Sequence, residues 1–100
     1  MTDRRPGDGA SPRVFVDENY VTPEGYYPLT TAGAHEDLKR LGLTLVAGLT
    51  VTVYYLDHDA DDRLVTFSAD AVVEVLPRWG FVARPLSAFT AAKAPPVEGA

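Results

Sequence analysis

The stretch that decides the fold runs from Leu49 to Leu86 and reads LTVTVYYLDHDADDRLVTFSADAVVEVLPRWGFVARPL. Valine, threonine and aromatic residues alternate along it, and two polar interruptions, DHDADD and PRWG, divide it. Such alternation between turn-forming residues is typical of short antiparallel strands. The stretch therefore predicts an antiparallel meander of three or four strands, and Ser68–Asp70 is predicted to mark a bend or bulge in the longest of them.

The first strand of this meander also predicts the side of the sheet that is buried. Side chains of a strand point to opposite faces in turn, so Leu49, Val51, Val53 and Tyr55 share one face. The other face carries threonines beside a tyrosine and a leucine and is more polar. We therefore expect the first face to form the hydrophobic core.

Upstream of the meander, two short segments suit strands. The segments Arg13–Val21 and Tyr26–Leu29 flank Thr22–Gly25, whose proline and glycine suit a type I turn. This arrangement predicts a β-hairpin. Pro28 has no backbone N–H to donate, so its strand is expected to lie at an edge or to end there.

A short helix is predicted at residues 33–41, between the hairpin and the meander. Acidic residues come early in this segment and Lys39 and Arg40 come late, which complements the helix dipole. Either Thr31 or Gly33 can cap its beginning, and Gly42 is placed to end it.

The predicted fold is mainly β within the α+β class. A partly open, SH3-like barrel is the leading interpretation, because a strongly curved sheet lets few residues enclose a core. An α+β roll, with the helix across one sheet face, is the alternative. In either fold the helix is too short to persist alone and is expected to dock through Leu38 and Leu41.

Composition predicts one domain with a tail at each end. Residues 1–12 are rich in glycine, proline and charge, and residues 91–100 are mostly small residues with paired prolines, so both segments are expected to be flexible. Residues 13–90 are expected to form the single domain. No segment is apolar and long enough to suggest a signal peptide or a membrane span, and the interpretation is a soluble cytoplasmic protein.

Charge and cysteine content exclude several functional classes. The chain has no cysteine, which rules out disulfides, thiolate metal sites and cysteine nucleophiles. Its formal net charge of −5 disfavours nucleic-acid binding, since no basic stripe offsets it. We see no Ser-His-Asp set and no phosphate-binding glycine loop, and we therefore predict a protein that is not an enzyme and that needs no cofactor.

The acidic turn DHDADDRL is the sharpest motif. Asp57, Asp59 and Asp61 alternate as in the opening of a calcium-binding EF-hand loop. The sixth position of that loop requires glycine but is Asp62 here, and the twelfth requires glutamate but is Ser68. The alternatives are a weak divalent-metal site and a solvated hairpin loop.

Aromatic residues suggest a contact surface. Alternation predicts that Tyr26 and Tyr54 point away from the core, and Trp79 lies in a predicted turn beside Arg78. Tyrosine, tryptophan and arginine are enriched in the energetic centres of protein interfaces. These four residues therefore form the predicted partner-binding set, although the rings could instead only cap the ends of a small core.

The strings TPEGYYPL and DLKRLGLTLVAGLTVTVYY resemble sequences of small, uncharacterised bacterial single-domain proteins. The resemblance covers about half of the chain, and its motifs are structural. It implies a self-contained bacterial domain, and it implies no activity, cofactor or site residue.

These observations lead to one function and two alternatives. We expect a protein or peptide interaction domain, in which the aspartates of the acidic turn attract a basic partner. Self-association into a homodimer is a variant, because a free sheet edge invites pairing. The alternatives are weak calcium binding at residues 57–62 and a small-molecule binder or enzyme that uses the mouth of a barrel.

Overall fold

A computed structural model describes residues 11–92 of the chain as six strands and one helix. In chain order they are β1 (Arg13–Phe15), β2 (Tyr27–Pro28), α1 (Ala32–Leu41), β3 (Thr50–His58), β4 (Leu64–Leu76), β5 (Gly80–Pro85) and β6 (Thr90–Ala92). Within this part of the chain, no helix is long and apolar enough to cross a membrane.

The six strands form one mixed sheet that does not close. Its strand order is β1-β3-β4-β5-β2, and β6 also pairs with β4. Strands β3, β4 and β5 form the antiparallel meander that the alternating pattern predicts. Strand β1 pairs parallel to β3, which makes the sheet mixed.

The predicted β-hairpin of residues 13–29 is wrong. Its turn is present, because the N–H of Gly25 donates to the carbonyl of Thr22 at 2.9 Å. However, β1 pairs with β3 and β2 pairs with β5, so the two segments lie at opposite ends of the strand order. Pairing with β3 buries Val14 and Val16 completely, whereas the two-residue β2 offers too little surface to do so.

The buried face is the one that the sequence predicts. Val51 and Val53 have no solvent exposure, and Leu49 and Tyr55 pack against the same core. The register with β4 places Ala71 opposite Val51, and the buried set continues across the meander. Pro28 ends β2, the last strand of the order, as expected for a residue that cannot donate.

Helix α1 begins and ends almost where the sequence predicts. Thr31 is the cap, since its Oγ1 accepts from the N–H of Ala34, and Gly42 ends the helix with a left-handed φ of 64°. The predicted docking is only half right, because Leu38 packs on the core but Leu41 is 42% exposed. The helix contacts the edge strand β1, so it buries Ala34 and Asp37 and leaves Leu41 at the surface.

Strand β4 is long because different parts of it pair with different strands. Its register with β3 is unbroken from Leu64 to Val72, so of the bend or bulge predicted at Ser68–Asp70 the bulge is excluded. On its other edge, β4 pairs with β6 up to Ser68 and with β5 from Ala71 onward. The polar residues at 68–70 therefore mark a change of partner.

The ends of the domain differ slightly from those expected. Ala91 and Ala92 were expected in the C-terminal tail, but both belong to β6. At the other end, the carbonyl of Pro12 accepts from the N–H of Thr52 at 2.8 Å. The rest of both predicted tails, residues 1–10 and 93–100, lies outside the described residues.

Candidate binding site

The carboxylate of Asp37 joins helix α1 to the sheet. Its Oδ2 accepts from the N–H of Phe15 at 2.9 Å and from the hydroxyl of Tyr54 at 2.7 Å. Its Oδ1 accepts from Nη2 of Arg40 at 2.6 Å. Because β1 pairs with β3 through its other edge, Phe15 presents its N–H outward, and Asp37 gives that edge donor an acceptor.

The hydrogen bonds that Asp37 accepts stabilise its ionised form. Burial alone would raise the pKa of this carboxyl, but the hydrogen bonds from Arg40, Tyr54 and Phe15 outweigh burial and lower the pKa. The pKa of Tyr54 is raised, first by burial and then by its hydrogen bond to Asp37. At neutral pH, Asp37 is therefore an anion and Tyr54 a neutral donor.

Beside this carboxylate, side chains of β1 and β3 pack against one another on one face of the sheet. The register pairs Phe15 with Tyr54, and their rings meet edge to face with centroids 6.0 Å apart. The guanidinium of Arg13, two residues earlier on the same face, lies 5.2 Å from the centroid of the Tyr54 ring. Gly33 lets the helix approach, since a Cβ there would lie 2.5 Å from Cδ2 of Phe15.

These residues border a surface groove, which we call the α1–β1 groove. Its volume is about 400 Å³, and it is lined by Ser11, Pro12, Arg13, Arg40, Leu41 and Tyr54. A second hollow of about 470 Å³, lined by Glu36, Lys39 and Arg40, adjoins it through Arg40. The α1–β1 groove thus combines two guanidinium groups with an aromatic ring and two apolar side chains, a mixture that suits a peptide segment.

The structure separates the predicted partner-binding residues. Tyr54 lies in the α1–β1 groove, with its hydroxyl bonded to Asp37. Trp79 lies in the β4–β5 turn, and its ring centroid is 5.6 Å from that of Tyr20. Arg78 is exposed in the same turn, and Tyr26 precedes β2. Only Arg78 and Trp79 are therefore neighbours, and neither belongs to the groove of Tyr54.

The acidic turn uses its carboxylates to shape the loop. Oδ1 of Asp59 accepts from the N–H groups of Asp61 and Arg63, both at 2.9 Å, and the bond from Arg63 contributes most to lowering the pKa of Asp59. Asp57 accepts from the N–H of His58. Asp62 adopts a left-handed φ of 63°, which aspartate tolerates better than most residues.

The predicted metal ligands Asp57, Asp59 and Asp61 therefore lie where the sequence places them, in the β3–β4 loop and the strand end before it. Among residues 11–92, no group of three or more histidine, cysteine, aspartate or glutamate side chains is arranged to hold a metal ion. The solvated hairpin loop is the interpretation that the geometry favours.

A second cluster of titratable groups lies at the far end of β3. Oε1 of Glu18 is inaccessible to solvent and has no hydrogen-bond partner, and the pKa of Glu18 is raised, first by burial and then by Asp57. Tyr55 lies close by, with its ring 5.0 Å from that of Phe89. The ring centroids of Tyr27 and Phe89 are 5.3 Å apart, so the aromatic groups here pack on one another.

Sequence reasoning missed the residues that build the α1–β1 groove. The sequence pattern marks Arg13 only as the start of a strand segment and Arg40 only as a charge late in the helix, and Asp37 is one of the acidic residues early in that helix. Their juxtaposition depends on the parallel pairing of β1 with β3, and no local motif signals that pairing. The available signal was weak: in RVF, Arg13 and Phe15 alternate with the buried Val14.

Comparison of the chain with protein-family models, curated proteins and solved structures finds no match. The fold and the groove alone define the class of protein: it is a small, mixed-sheet α+β domain with a candidate binding groove at one sheet edge.

Proposed function

We propose that this protein is a non-enzymatic binding domain that captures a peptide segment of a partner protein in the α1–β1 groove. One observation carries this proposal: an exposed groove joins the guanidinium groups of Arg13 and Arg40, the ring of Tyr54 and the apolar side chain of Leu41. Arginine and tyrosine supply large contact areas and directional hydrogen bonds at interfaces. The exposure of Leu41, which does nothing for the core, fits a role in contact.

The rigidity of the groove supports this function. Asp37 holds the hydroxyl of Tyr54 and the guanidinium of Arg40 from beneath, so both side chains are ordered before any partner arrives. Ordering side chains on binding costs about 0.5–1.5 kcal/mol each, and this network lowers that cost. A preorganised rim is what a peptide-binding surface requires.

The finer fold that we propose is a partly open, SH3-like barrel. Tyr27 of β2 and Tyr55 of β3 both contact Phe89, although β4 and β5 separate their strands in the sheet order. A flat sheet would hold these rings about 14 Å apart, at about 4.8 Å per strand. Strong curvature of the sheet explains the contact and supports the barrel.

The other expectations stay predictions. These are partner contact through Tyr26, Arg78 and Trp79, attraction of a basic partner by the acidic turn, homodimer formation, a weak calcium site and a cytoplasmic location. None of them has a structural observation that favours it over the α1–β1 groove.

Panning a phage-displayed library of random dodecapeptides against the immobilised full chain tests the proposal. We expect recovered peptides to bind the wild type and to lose affinity for Arg13→Gln, whose side chain is exposed and stands outside the Asp37 hydrogen bonds. Arg63→Gln, which removes the same charge in the β3–β4 loop, is the matched control. Recovery of no binding peptide, or equal binding to all three proteins, contradicts the function.

A further inference from the structure

We propose, as a deepening of the proposed function on which it rests, that the α1–β1 groove recognises an acidic peptide segment. An aspartate or glutamate side chain of the peptide would bind between Arg13 and Arg40, and a neighbouring apolar residue of the peptide would pack against Leu41 and Pro12. This assignment opposes the basic partner expected from the acidic turn.

The distribution of basic residues supports an anionic ligand. Residues 11–92 contain six lysines and arginines: Arg13, Lys39, Arg40, Arg63, Arg78 and Arg84. Three of the six line the α1–β1 groove or the hollow beside it. In a chain whose formal net charge is −5, this concentration makes the groove a local region of positive charge.

The nearby carboxylates do not cancel this charge. Asp37 is buried and its two oxygens already accept three hydrogen bonds, one of them from Arg40. Arg40 keeps its other donors at the surface, since its side chain is 63% exposed. Counting Glu36 and Asp37 against the three cations leaves the region with a net charge of +1.

The arrangement of Arg13 suits a carboxylate in particular. The guanidinium of Arg13 lies over the ring of Tyr54, with its Cζ 5.2 Å from the ring centroid, and a guanidinium carries its N–H donors along a planar edge. That edge matches a carboxylate with two parallel hydrogen bonds. The apolar walls favour a peptide over a highly charged polymer, because a polymer of phosphates would meet the acidic surface beyond the groove.

The peptides recovered against the groove distinguish this inference from the proposed function. We expect those that depend on Arg13 to be enriched in aspartate and glutamate. Replacing the acidic residue of such a peptide by its amide should weaken binding about tenfold, since hydrogen bonds to charged groups exceed neutral ones by about 1.4 kcal/mol. Peptides that depend on Arg13 but are neutral or basic would overturn the acidic ligand and leave the binding domain intact.

A charge exchange provides the second readout. Arg13→Glu should abolish binding of the acidic peptide, and changing the acidic residue of the peptide to lysine should restore binding to that variant. Retention of the acidic peptide by Arg13→Glu, or equal competition by a 20-nucleotide single-stranded RNA, would overturn the inference. Asp3→Asn with Asp8→Asn in the full chain tests whether the acidic residues that precede Ser11 in the sequence compete for the groove. A tenfold rise in affinity there would assign the groove to those residues and overturn the external partner.

Discussion

Replacing Asp37 by alanine should destabilise the protein far more than replacing an exposed residue of the same helix. The substitution deprives the N–H of Phe15 and the hydroxyl of Tyr54 of their acceptor, and it removes the partner of Arg40. The two half-buried donors then need water or lose their hydrogen bonds, and the free edge of β1 loses its cover.

The magnitude follows from these three contacts. Hydrogen bonds to charged groups contribute about 1.5 kcal/mol each at the low end of their range, so Phe15 and Tyr54 together account for about 3 kcal/mol. The pair with Arg40 is exposed to solvent and adds little. Alanine returns about 0.6 kcal/mol through its higher helix propensity. The net loss is about 2.5 kcal/mol, or about 10–20 °C in Tm for a domain of this size.

Thermal unfolding followed by circular dichroism, together with urea titration, measures this loss. Tyr54→Phe should cost about 1.5 kcal/mol because it removes one of these hydrogen bonds, and Arg40→Ala should cost much less because Arg40 is exposed. Glu36→Ala, an exposed neighbour on the same helix, is the control for the change in helix propensity. A loss below about 1 kcal/mol for Asp37→Ala would refute the role assigned to its hydrogen bonds.

The pH dependence gives an independent check. The folded-state pKa of Asp37 lies below the ordinary value of 3.8 for this carboxyl group, so the stability it contributes is present above that value. This contribution is lost as the pH falls through the lower, folded pKa. The difference in unfolding free energy between wild type and Asp37→Ala should therefore be constant from about pH 5 to 8 and shrink below about pH 4. An unchanged difference at about pH 2 would contradict the assignment.

Three further predictions concern other parts of the molecule. Gly33→Ala should lower the Tm, because the 2.5 Å approach of a Cβ to Phe15 outweighs a gain of about 1 kcal/mol in helix propensity; in a Phe15→Ala background it should raise the Tm instead. Glu18→Gln should raise the Tm above about pH 6. Burial and the nearby Asp57 raise the pKa of Glu18, so its ionised form destabilises the fold. Wild-type stability therefore falls as the pH rises through that pKa. Calcium at about 5 mM should leave the Tm unchanged, since the Oδ1 of Asp59 already accepts from two backbone N–H groups and competing for it would break the turn.

Each of these results has a matched comparison. Glu24→Gln, at an exposed position in the turn before β2, controls for the loss of one negative charge, and it should leave the Tm unchanged where Glu18→Gln raises it. A stabilising Gly33→Ala in the wild-type background would show that the helix yields to the added methyl group. A calcium-dependent rise in Tm that Asp59→Asn removes would show that the acidic turn binds calcium.

Local patterns predicted the elements that depend on near neighbours. The alternation from Leu49 onward predicted β3 and its buried face, because each strand of the meander pairs with the next one in the chain. Thr31 and Gly42 marked the helix ends because capping depends on backbone groups within a few residues. Pro28 ended its strand for the same kind of local reason.

The parts that sequence reasoning missed depend on long-range pairing. The turn at Thr22–Gly25 forms, yet its flanking segments separate because burying Val14 and Val16 beside β3 gains more than a short hairpin would. The position of α1 follows from that choice, since the helix covers the edge that β1 leaves open. The groove depends on both events, so no local motif could reveal Arg13 and Arg40 as its walls.

Stability and the proposed peptide recognition depend on neighbouring but separable groups. Asp37 serves the fold, and substitutions there would weaken binding through unfolding. Arg13 contacts the outer face of Tyr54, and a cation–π contact at an exposed site contributes only about 0.5–1 kcal/mol. Arg13→Gln should therefore lower the Tm by less than about 8 °C while it weakens peptide binding about tenfold. If its Tm instead fell as far as that of Asp37→Ala, Arg13 would belong to the structural network, and the groove would lose its claim to be a binding surface.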